Sequence, residues 1–438
     1  MTAWLAIIAF LLALLGTPLF AVLALAALVL FWSEGIGSAS VATEMVRLAT
    51  SPVLIAIPLF TFAGYLFAES RTSERLVRLT RAAFGWIPGG LALVAMVACA
   101  LFTAFTGASG VTIVAMGGLL MPALLKDGFS KRFSLGLLTT SGSLGLLFPP
   151  SLPLILYSYV AATSAGGLLL DSADAPTVDR LFLAGILPGI FLIAVLAVLS
   201  VRQGVRSMGG RVAFRWGEFF SSFRGMIWEA PLPFIILGGI YGGKLTVTEA
   251  ASVTALYALI VEVFIYRDIP LRRLGAIVRE SMMLVGGILV ILAAALGLTN
   301  YLIDAEVPLR ILEGIQTHVS SRLGFLLLLN GFLLVVGCLM DIFSALIVVV
   351  PLIVPIAQEY DVNLVHLGII FLANLEIGYM TPPVGLNLFI SSYRFQKPVV
   401  EVYRSTFPFL VALLFAILVI TYWADLSLFL PRMFGGGP

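Results

Sequence analysis

Residues 139–164 read TTSGSLGLLFPPSLPLILYSYVAATS, and residues 374–389 read NLEIGYMTPPVGLNLF. Each stretch holds a double proline, Pro149-Pro150 or Pro382-Pro383, with a glycine four residues ahead of it, Gly145 or Gly378. A single proline stands 27 residues before each pair, at Pro122 and Pro355. All three marks recur at an offset of 233 residues. Proline inside a helix deletes a backbone hydrogen bond, clashes with the preceding turn, and pushes the residue before it out of helix. Adjacent prolines with a nearby glycine therefore predict a broken helix with unpaired carbonyls. One such break could be a plain kink in a packed helix. Two in register predict a duplicated unit.

Composition says where that unit resides. The chain has 438 residues, 61% of them hydrophobic and only 11% charged, and its mean hydropathy is +1.11. A soluble core does not need that much apolar surface, so the chain reads as a polytopic membrane protein. In lipid, interrupted backbone survives only when it is buried in protein or lines a site. Paired breaks in a duplicated membrane protein are the architecture of secondary transporters, with the site between the halves. Cys99 and Cys338 both lie in apolar runs, which excludes a disulfide framework and leaves a zinc site without ligands. The first apolar run lacks a basic start and a cleavage pattern, so it reads as retained.

Charge sets the topology. Arg71, Arg75, Arg78 and Arg81 form one basic segment, Arg202, Arg206, Arg211 and Arg215 a second, and Arg267, Arg272, Arg273 and Arg279 a third. The positive-inside rule places all three in the cytoplasm. The loop 164–180, with Asp171, Asp174 and Asp179 against Arg180, is placed outside. Between Arg81 and the group Lys126, Lys131, Arg132 lies an apolar stretch, 91–125, interrupted at Thr106-Gly107-Ala108-Ser109-Gly110. Arms of roughly 15 residues reach about 22 Å, short of the ~30 Å hydrocarbon core. A re-entrant hairpin fits better than two short tilted spans. The stretch 323–357, interrupted at Gly337-Cys338-Leu339-Met340-Asp341, has acidic flanks (Asp304, Glu306, Glu313, Glu359, Asp361) and should enter from outside. The halves are then inverted. The same offset relates 53–68 to 286–301 and 19–32 to 252–265.

Freed carbonyls and Ser/Thr hydroxyls suit Na⁺, and the half-helix N-termini beyond each break favour a carboxylate. Here the residues reach a known family. GASGVTIVAMGGLLMPALLKDGFSKRF (107–133), SPVLIAIPLFTFAGYLF (51–67), LAGILPG (183–189), LGGIYGGKLTVTEAA (237–251) and the two proline stretches resemble the large membrane subunit of tripartite ATP-independent periplasmic (TRAP) transporters. The resemblance runs in family order from about residue 50 to 395.

It implies an all-α polytopic fold: an inverted repeat with two re-entrant helical hairpins and two broken transmembrane helices, an elevator fold of the ion-transporter superfamily. It implies a bacterial inner-membrane location, a small four-helix membrane subunit and a periplasmic substrate-binding protein as partners, and Na⁺-driven uptake of a small carboxylate, C4-dicarboxylate first. The lipid bilayer is the medium, and no nucleic-acid partner is expected. Residues 1–90 become scaffold, 91–163 the first half of a transport domain, and 164–322 scaffold and connecting helices with a cytoplasmic amphipathic arm near 214–230. Residues 323–395 become the second transport half and 396–438 a C-terminal helix.

By position, the resemblance assigns Gly107, Ser109, Ser141, Ser143, Gly145, Gly337, Met340, Asp341, Thr381 and Pro382 to sodium. It assigns Ser109, Gly110, Pro149, Pro150, Ser151, Thr381, Pro383 and Gly385 to substrate. The family's Ser-Gly-Ser first tip is here Gly107-Ala108-Ser109-Gly110, which shifts the hydroxyls and puts the ligands there in doubt.

Other residues have competing readings. Asp341 is a Na⁺ or hairpin-tip ligand, or a cap for the next helix. Glu376 lies within the membrane one turn before the break, where it could bond freed backbone donors without touching substrate. Thr246 and Glu249 have capping-box spacing. Arg279, Arg310 and Arg394 sit at membrane edges, and His318 and His366 in outer loops or at their rims. Gly107-Ala108-Ser109-Gly110 also resembles the nucleophile turn of rhomboid proteases, with His366 as partner, but that reading leaves the repeat unexplained. A stand-alone Na⁺-coupled dicarboxylate carrier with similar hairpins is the nearer alternative.

Overall fold

A computed structural model describes residues 12, 17–33, 51–87, 89–165, 175–206, 215–317, 319 and 321–434. His318, Arg211, Asp171 and Asp174 lie outside the described residues. The described residues form helices and turns and no strand. The first repeat runs through α1 (Leu19–Ser33), α2 (Pro52–Glu69) and α3 (Thr72–Phe84). A hairpin of α4 (Gly90–Thr106) and α5 (Ser109–Lys126) follows, then a broken helix, α6 (Lys131–Ser141) and α7 (Leu152–Ser164). The long α8 (Val178–Arg206) and the short α9 (Trp216–Gly225) and α10 (Leu232–Tyr241) connect the halves. The second repeat has α11 (Val247–Leu259), extended by a π-helical turn over Ile260–Ile265, then α12 (Leu271–Asp304) and α13 (Val307–Gln316). Its hairpin is α14 (Arg322–Leu339) and α15 (Ile342–Glu359), and its broken helix α16 (Leu364–Gly378) and α17 (Leu386–Phe395). α18 (Val399–Tyr422) and α19 (Asp425–Phe434) complete the described chain.

The repeat offset survives to the residue. Thr106 and Leu339 end the first hairpin arms, Ser109–Lys126 and Ile342–Glu359 bound the second arms, and Lys131 and Leu364 open the broken helices. Each correspondence is 233 residues. Packing shows how the halves combine. α4 lies on α6 and α14 on α16, each within its own repeat, whereas α5 lies on α17 and α15 on α7, each across the repeats. The remaining helices exchange in the same way, α1 packing on α12 and α2 on α11. Reciprocal exchange is what a pseudo-twofold axis produces, and it ties both hairpins and both broken helices into one unit.

One expectation needs correction. The hairpin arms are 17 and 18 residues long, not about 15, and so reach roughly 26 Å. Arm length therefore does not distinguish a re-entrant hairpin from two spans. Burial does so at the first tip: Thr106 and Ser109, either side of it, are 4% and 5% exposed, whereas a turn between two spans would emerge at the membrane surface. The second tip is open, with Leu339 and Asp341 exposed. Eight described helices (α2, α5, α8, α11 with its π turn, α12, α14, α15 and α18) are long and apolar enough to cross a bilayer.

The scaffold is held at one end by charge. Arg75 on α3 bonds Glu229 (2.5 Å) before α10, Glu262 (3.0 Å) in the π turn and Asp268 (2.8 Å) beyond it, with its guanidinium 4.0 Å from the Tyr266 ring centre. One planar donor fork thus joins three segments that are distant in sequence. The Thr246–Glu249 capping box forms as expected, at the start of α11. In the expected amphipathic arm, α9 packs against α3 while Trp216, Phe220 and Phe223 stay exposed.

Candidate functional site

The helix breaks fall where the prolines predict. α6 stops at Ser141, the chain turns through residues 142–147, and α7 resumes at Leu152 beyond Pro149-Pro150. α16 stops at Gly378 and α17 resumes at Leu386 beyond Pro382-Pro383. Both double prolines contain a cis peptide bond.

The two paired glycines act by close approach, not by positive φ. A Cβ at Gly145 would lie 2.2 Å from the Ala100 carbonyl oxygen and 2.6 Å from the Ala104 nitrogen, both on α4. A Cβ at Gly378 would lie 2.6 Å from the Cα of Gly337, on α14. Ala104 and Gly337 are themselves one repeat apart, so each hairpin docks on its own broken helix through the same backbone contact. Gly337, expected at the tip, sits in the last turn of α14 and serves this contact; the turn itself is Met340-Asp341.

At the first tip, Gly107 ends α4 in the left-handed region (φ 68°), and its N–H donates to the Thr103 carbonyl (2.7 Å). Thr103 then ties the tip to the break. Its hydroxyl is 2.7 Å from that of Thr112 on α5 and 2.9 Å from the Gly142 carbonyl, which accepts from it. Thr103 is fully buried, so Thr103→Val would leave the Gly142 carbonyl and the Thr112 hydroxyl short of a partner. That substitution should cost roughly 1–3 kcal/mol, read as a lowered unfolding midpoint with the fold retained. Gly110 lies in the first turn of α5, where a Cβ would meet Ile390 of α17 at 2.7 Å.

At the second tip, Asp341 caps α15. One carboxylate oxygen accepts from the Phe343 and Ser344 N–H groups (3.0 and 3.1 Å), and the other accepts from the Ser344 hydroxyl. The capping geometry is thus present at an exposed aspartate. Gly385, at φ 57°, donates its N–H to the Cys338 carbonyl (3.0 Å), linking the second break to the second tip.

The breaks expose less backbone than the prolines suggest. The carbonyls of Gly142, Ser143, Gly145 and Leu146 accept from Thr103, Leu146 N–H, Phe148 N–H and the Ser151 hydroxyl. Those of Ile377, Gly378, Tyr379 and Pro383 accept from local N–H groups or from the Thr381 and Tyr403 hydroxyls. Ser151 also caps α7, accepting from Leu154 N–H (3.3 Å). The groups left over are side chains. The hydroxyls of Thr106, Thr140, Ser141 and Ser143, Oδ1 of Asn374, the amide of Asn387 and both carboxyl oxygens of Glu376 are buried without a hydrogen-bond partner.

Of the expected sodium residues, Gly107, Ser109, Ser141, Ser143 and Gly145 gather at the first tip and break, and Gly337, Met340, Asp341, Thr381 and Pro382 at the second. Pro149, Pro150 and Ser151 belong to the first group, and Pro383 and Gly385 to the second. The groups approach because α7 packs on α16 and α6 on α17. They differ in access: Pro150 and Ser151 are buried, whereas Pro382, Pro383 and Val384 are exposed. The sequence reading omits Thr103, Thr106, Thr112, Thr140, Asn374 and Asn387. Register could have found two of the unpartnered pairs, since Asn374 and Glu376 stand one repeat after Ser141 and Ser143.

A cavity of about 710 Å³ lies between these elements and parts of α2 and α12. Tyr65, Ala68 and Glu69 of α2 and Glu280 of α12 line one side, and Thr106, Gly110, Val114 and Tyr393 the other. His366 is not at a loop rim. It is fully buried in the first turn of α16, with Nε2 donating to the Thr421 carbonyl (3.1 Å) and Nδ1 accepting from Ser427 (3.2 Å). Both ring nitrogens are committed to the C-terminal helices and not to Ser109, so the serine-protease reading has no base.

Comparison with known proteins agrees with this anatomy. Residues 6–426 match the family model described as tripartite ATP-independent periplasmic transporter, DctM component. The C4-dicarboxylate TRAP transporter large permease protein DctM of Pseudomonas aeruginosa is 34% identical over 397 residues, 90% of each chain. The ectoine TRAP transporter large permease protein TeaC of Halomonas elongata is 30% identical over 95% of this chain and 96% of its own. An isethionate TRAP transporter permease protein, DctMQ, of Oleidesulfovibrio alaskensis is 32% identical, with 87% of this chain aligned to 58% of that protein. Among solved structures, the YdaH transporter of Alcanivorax borkumensis superposes with a TM-score of 0.64 at 12% identity, covering 88% and 87% of the two chains, and supports the fold alone. The chain belongs to the DctM component family of tripartite ATP-independent periplasmic transporters: it is a multi-pass inner-membrane transport protein and not an enzyme, and it works with a periplasmic binding protein and a small membrane subunit.

Proposed function

We propose that this chain drives Na⁺-coupled uptake of a small organic acid by elevator movement of the hairpin and broken-helix unit along the scaffold. The carrying observation is the cross-repeat packing of α5 on α17 and α15 on α7, opposite a 710 Å³ cavity toward the scaffold. Four elements interlocked through both repeats move together, and the cavity gives them room beside α2 and α12.

The chemistry at the breaks fits both cargo and coupling ion. α6 ends at Ser141, and a helix C-terminus carries partial negative charge, which favours a cation among the buried hydroxyls of Thr140, Ser141 and Ser143. α7 and α17 begin at Leu152 and Leu386, where partial positive charge favours a carboxylate. Na⁺ drives uptake only if it binds the cargo-competent state better than the other. C4-dicarboxylate is the first cargo to test. Isethionate and ectoine follow, since similar permeases carry those names.

The partner reading is a four-helix small subunit bracing the scaffold, with the binding protein docking on the outer face of both. Reconstitution into liposomes tests the whole. Uptake of labelled succinate should require an inward Na⁺ gradient, the small subunit and the cognate binding protein. Uptake without the binding protein would favour a stand-alone carrier. Uptake indifferent to Na⁺ would overturn the coupling.

A further inference from the structure

Glu376 is a buried carboxyl group with no charged partner among the described residues. It lies in the last turn of α16, is 2% exposed, and neither of its oxygens has a hydrogen-bond partner. The backbone of Leu147, in the first break, approaches it without closing a hydrogen bond of ordinary geometry. Ser143 occupies the equivalent place one repeat earlier and is also buried and unpartnered. The two breaks therefore differ at one matched position, a hydroxyl in one and an acid in the other.

The surroundings supply no positive charge. α16 is packed by α7, α8, α14, α15, α18 and α19. The ionisable groups on those helices are Tyr157 and Tyr159 on α7, Asp179, Arg180 and Arg202 on α8, Arg322 and Cys338 on α14, Glu359 at the end of α15 with Tyr360 after it, and Glu401, Tyr403, Arg404 and Tyr422 on α18. Asp425 on α19 is paired with Arg432 (2.6 Å). None forms an ion pair with Glu376. Tyr157 on α7 bonds the Leu364 carbonyl, and His366 stands beside it, both at the far end of α16, about 15 Å away. Asp341 is committed to capping α15, and Tyr379 accepts the Ile342 N–H (2.5 Å). An ionised carboxylate in that setting is costly.

Two compensations exist, a proton or a metal cation. A metal cation needs several oxygens converging on it. Asn374, the nearest buried amide in sequence, stands two residues away on a helix, a spacing that turns side chains to different faces. Its NH₂ group is already bonded to Asn330 on α14 (2.6 Å). Among the described residues no three acid, histidine or cysteine side chains cluster there, and the carbonyls of Ile377, Gly378, Tyr379 and Pro383 that a Na⁺ ion would need already accept hydrogen bonds.

We propose that Glu376 is a proton-binding site in the transport unit: its carboxylate takes up one proton, becomes a neutral carboxylic acid at the second break, and carries that proton as the unit moves. The second repeat then holds a covalently bound proton where the first offers only hydroxyls.

Infrared spectroscopy of the purified full chain in lipid at neutral pH tests this without any cargo, so the result does not depend on the proposed uptake reaction. The carbonyl stretch of a protonated carboxylic acid should be present and should shift on [¹³C]glutamate labelling but not on [¹³C]aspartate labelling. It should disappear in E376Q. It should persist in E229Q and in E262Q, which remove the other two buried glutamates with an unpartnered oxygen. It should also be unchanged when NaCl replaces choline chloride. Absence of a glutamate-sensitive band in the unsubstituted chain would overturn the proposal even if E376Q fails to fold. Loss of the Glu376 band on adding Na⁺ would also overturn it, by making the residue a sodium ligand.

Discussion

Alanine at Gly145 or Gly378 is expected to abolish transport. A Cβ at Gly145 would stand 2.2 Å from one backbone atom of α4 and 2.6 Å from another, and a Cβ at Gly378 would stand 2.6 and 2.7 Å from backbone atoms of Gly337. Backbone cannot turn aside as a side chain can, so the hairpin must lift off its broken helix. Overpacking of a tight contact costs about 1–3 kcal/mol, and these contacts, with main chain on both sides, fall at the top of that range. Gly337→Ala, whose Cβ would reach backbone only at 3.0 Å, should be milder. Gly286→Ala and Gly331→Ala meet nothing within 4 Å and should behave as wild type. Unfolding midpoints and uptake in liposomes check the order. Wild-type uptake by Gly145→Ala would mean that this contact is dispensable.

The second large effect separates stability from coupling. Ser141 and Ser143 are fully buried, and their hydroxyls have no partner in the protein. An unpartnered buried hydroxyl lowers stability, so Ser141→Ala and Ser143→Ala should leave the unfolding midpoint without Na⁺ unchanged or raised. If the hydroxyls hold the coupling ion, each substitution should raise the half-saturating Na⁺ concentration about tenfold, equivalent to roughly 1.4 kcal/mol. The double variant should lose most Na⁺-driven uptake. Titrating uptake and thermal protection against Na⁺ distinguishes the outcomes. An unchanged Na⁺ response in the double variant would remove both residues from the ion site.

The part of the fold readable from sequence was its rhythm. Two proline pairs, two glycines and two interrupted apolar runs at a single offset mark the tips within 106–110 and 337–341 and the paired breaks, and the helix ends at Thr106 and Leu339, Ser109 and Ile342, and Lys131 and Leu364 keep that offset. Backbone chemistry is local, so sequence reports it directly. What it does not report is which surface each helix meets. Gly145 and Gly378 read as marks of the helix breaks, and Gly145 also as a sodium residue, but their neighbours across space make them contact points. Gly337 reads as a turn residue for the same reason. The carbonyls freed by the prolines read as bare, yet Thr103, Ser151, Thr381 and Tyr403 take several of them up from other elements or other turns. The Arg75 cluster joins residues separated by more than 150 positions and leaves no local pattern. The matched positions Ser141/Asn374 and Ser143/Glu376 were legible from the offset alone, and became informative once burial showed all four to be partnerless in at least one atom.

The central claim is that hairpins and broken helices move as one body against the scaffold. Double electron–electron resonance tests it with spin labels on exposed positions, after Cys99 and Cys338 are replaced by serine. One pair, Met283→Cys on α12 and Tyr393→Cys on α17, spans scaffold and moving unit; the other, Leu327→Cys on α14 and Tyr393→Cys, lies within the unit. With Na⁺, binding protein and cargo present, the first pair should show two distance populations whose ratio shifts, and the second a single unchanged distance. A shift in the second pair matching that in the first would contradict rigid movement of the unit, and no shift in either would contradict movement altogether.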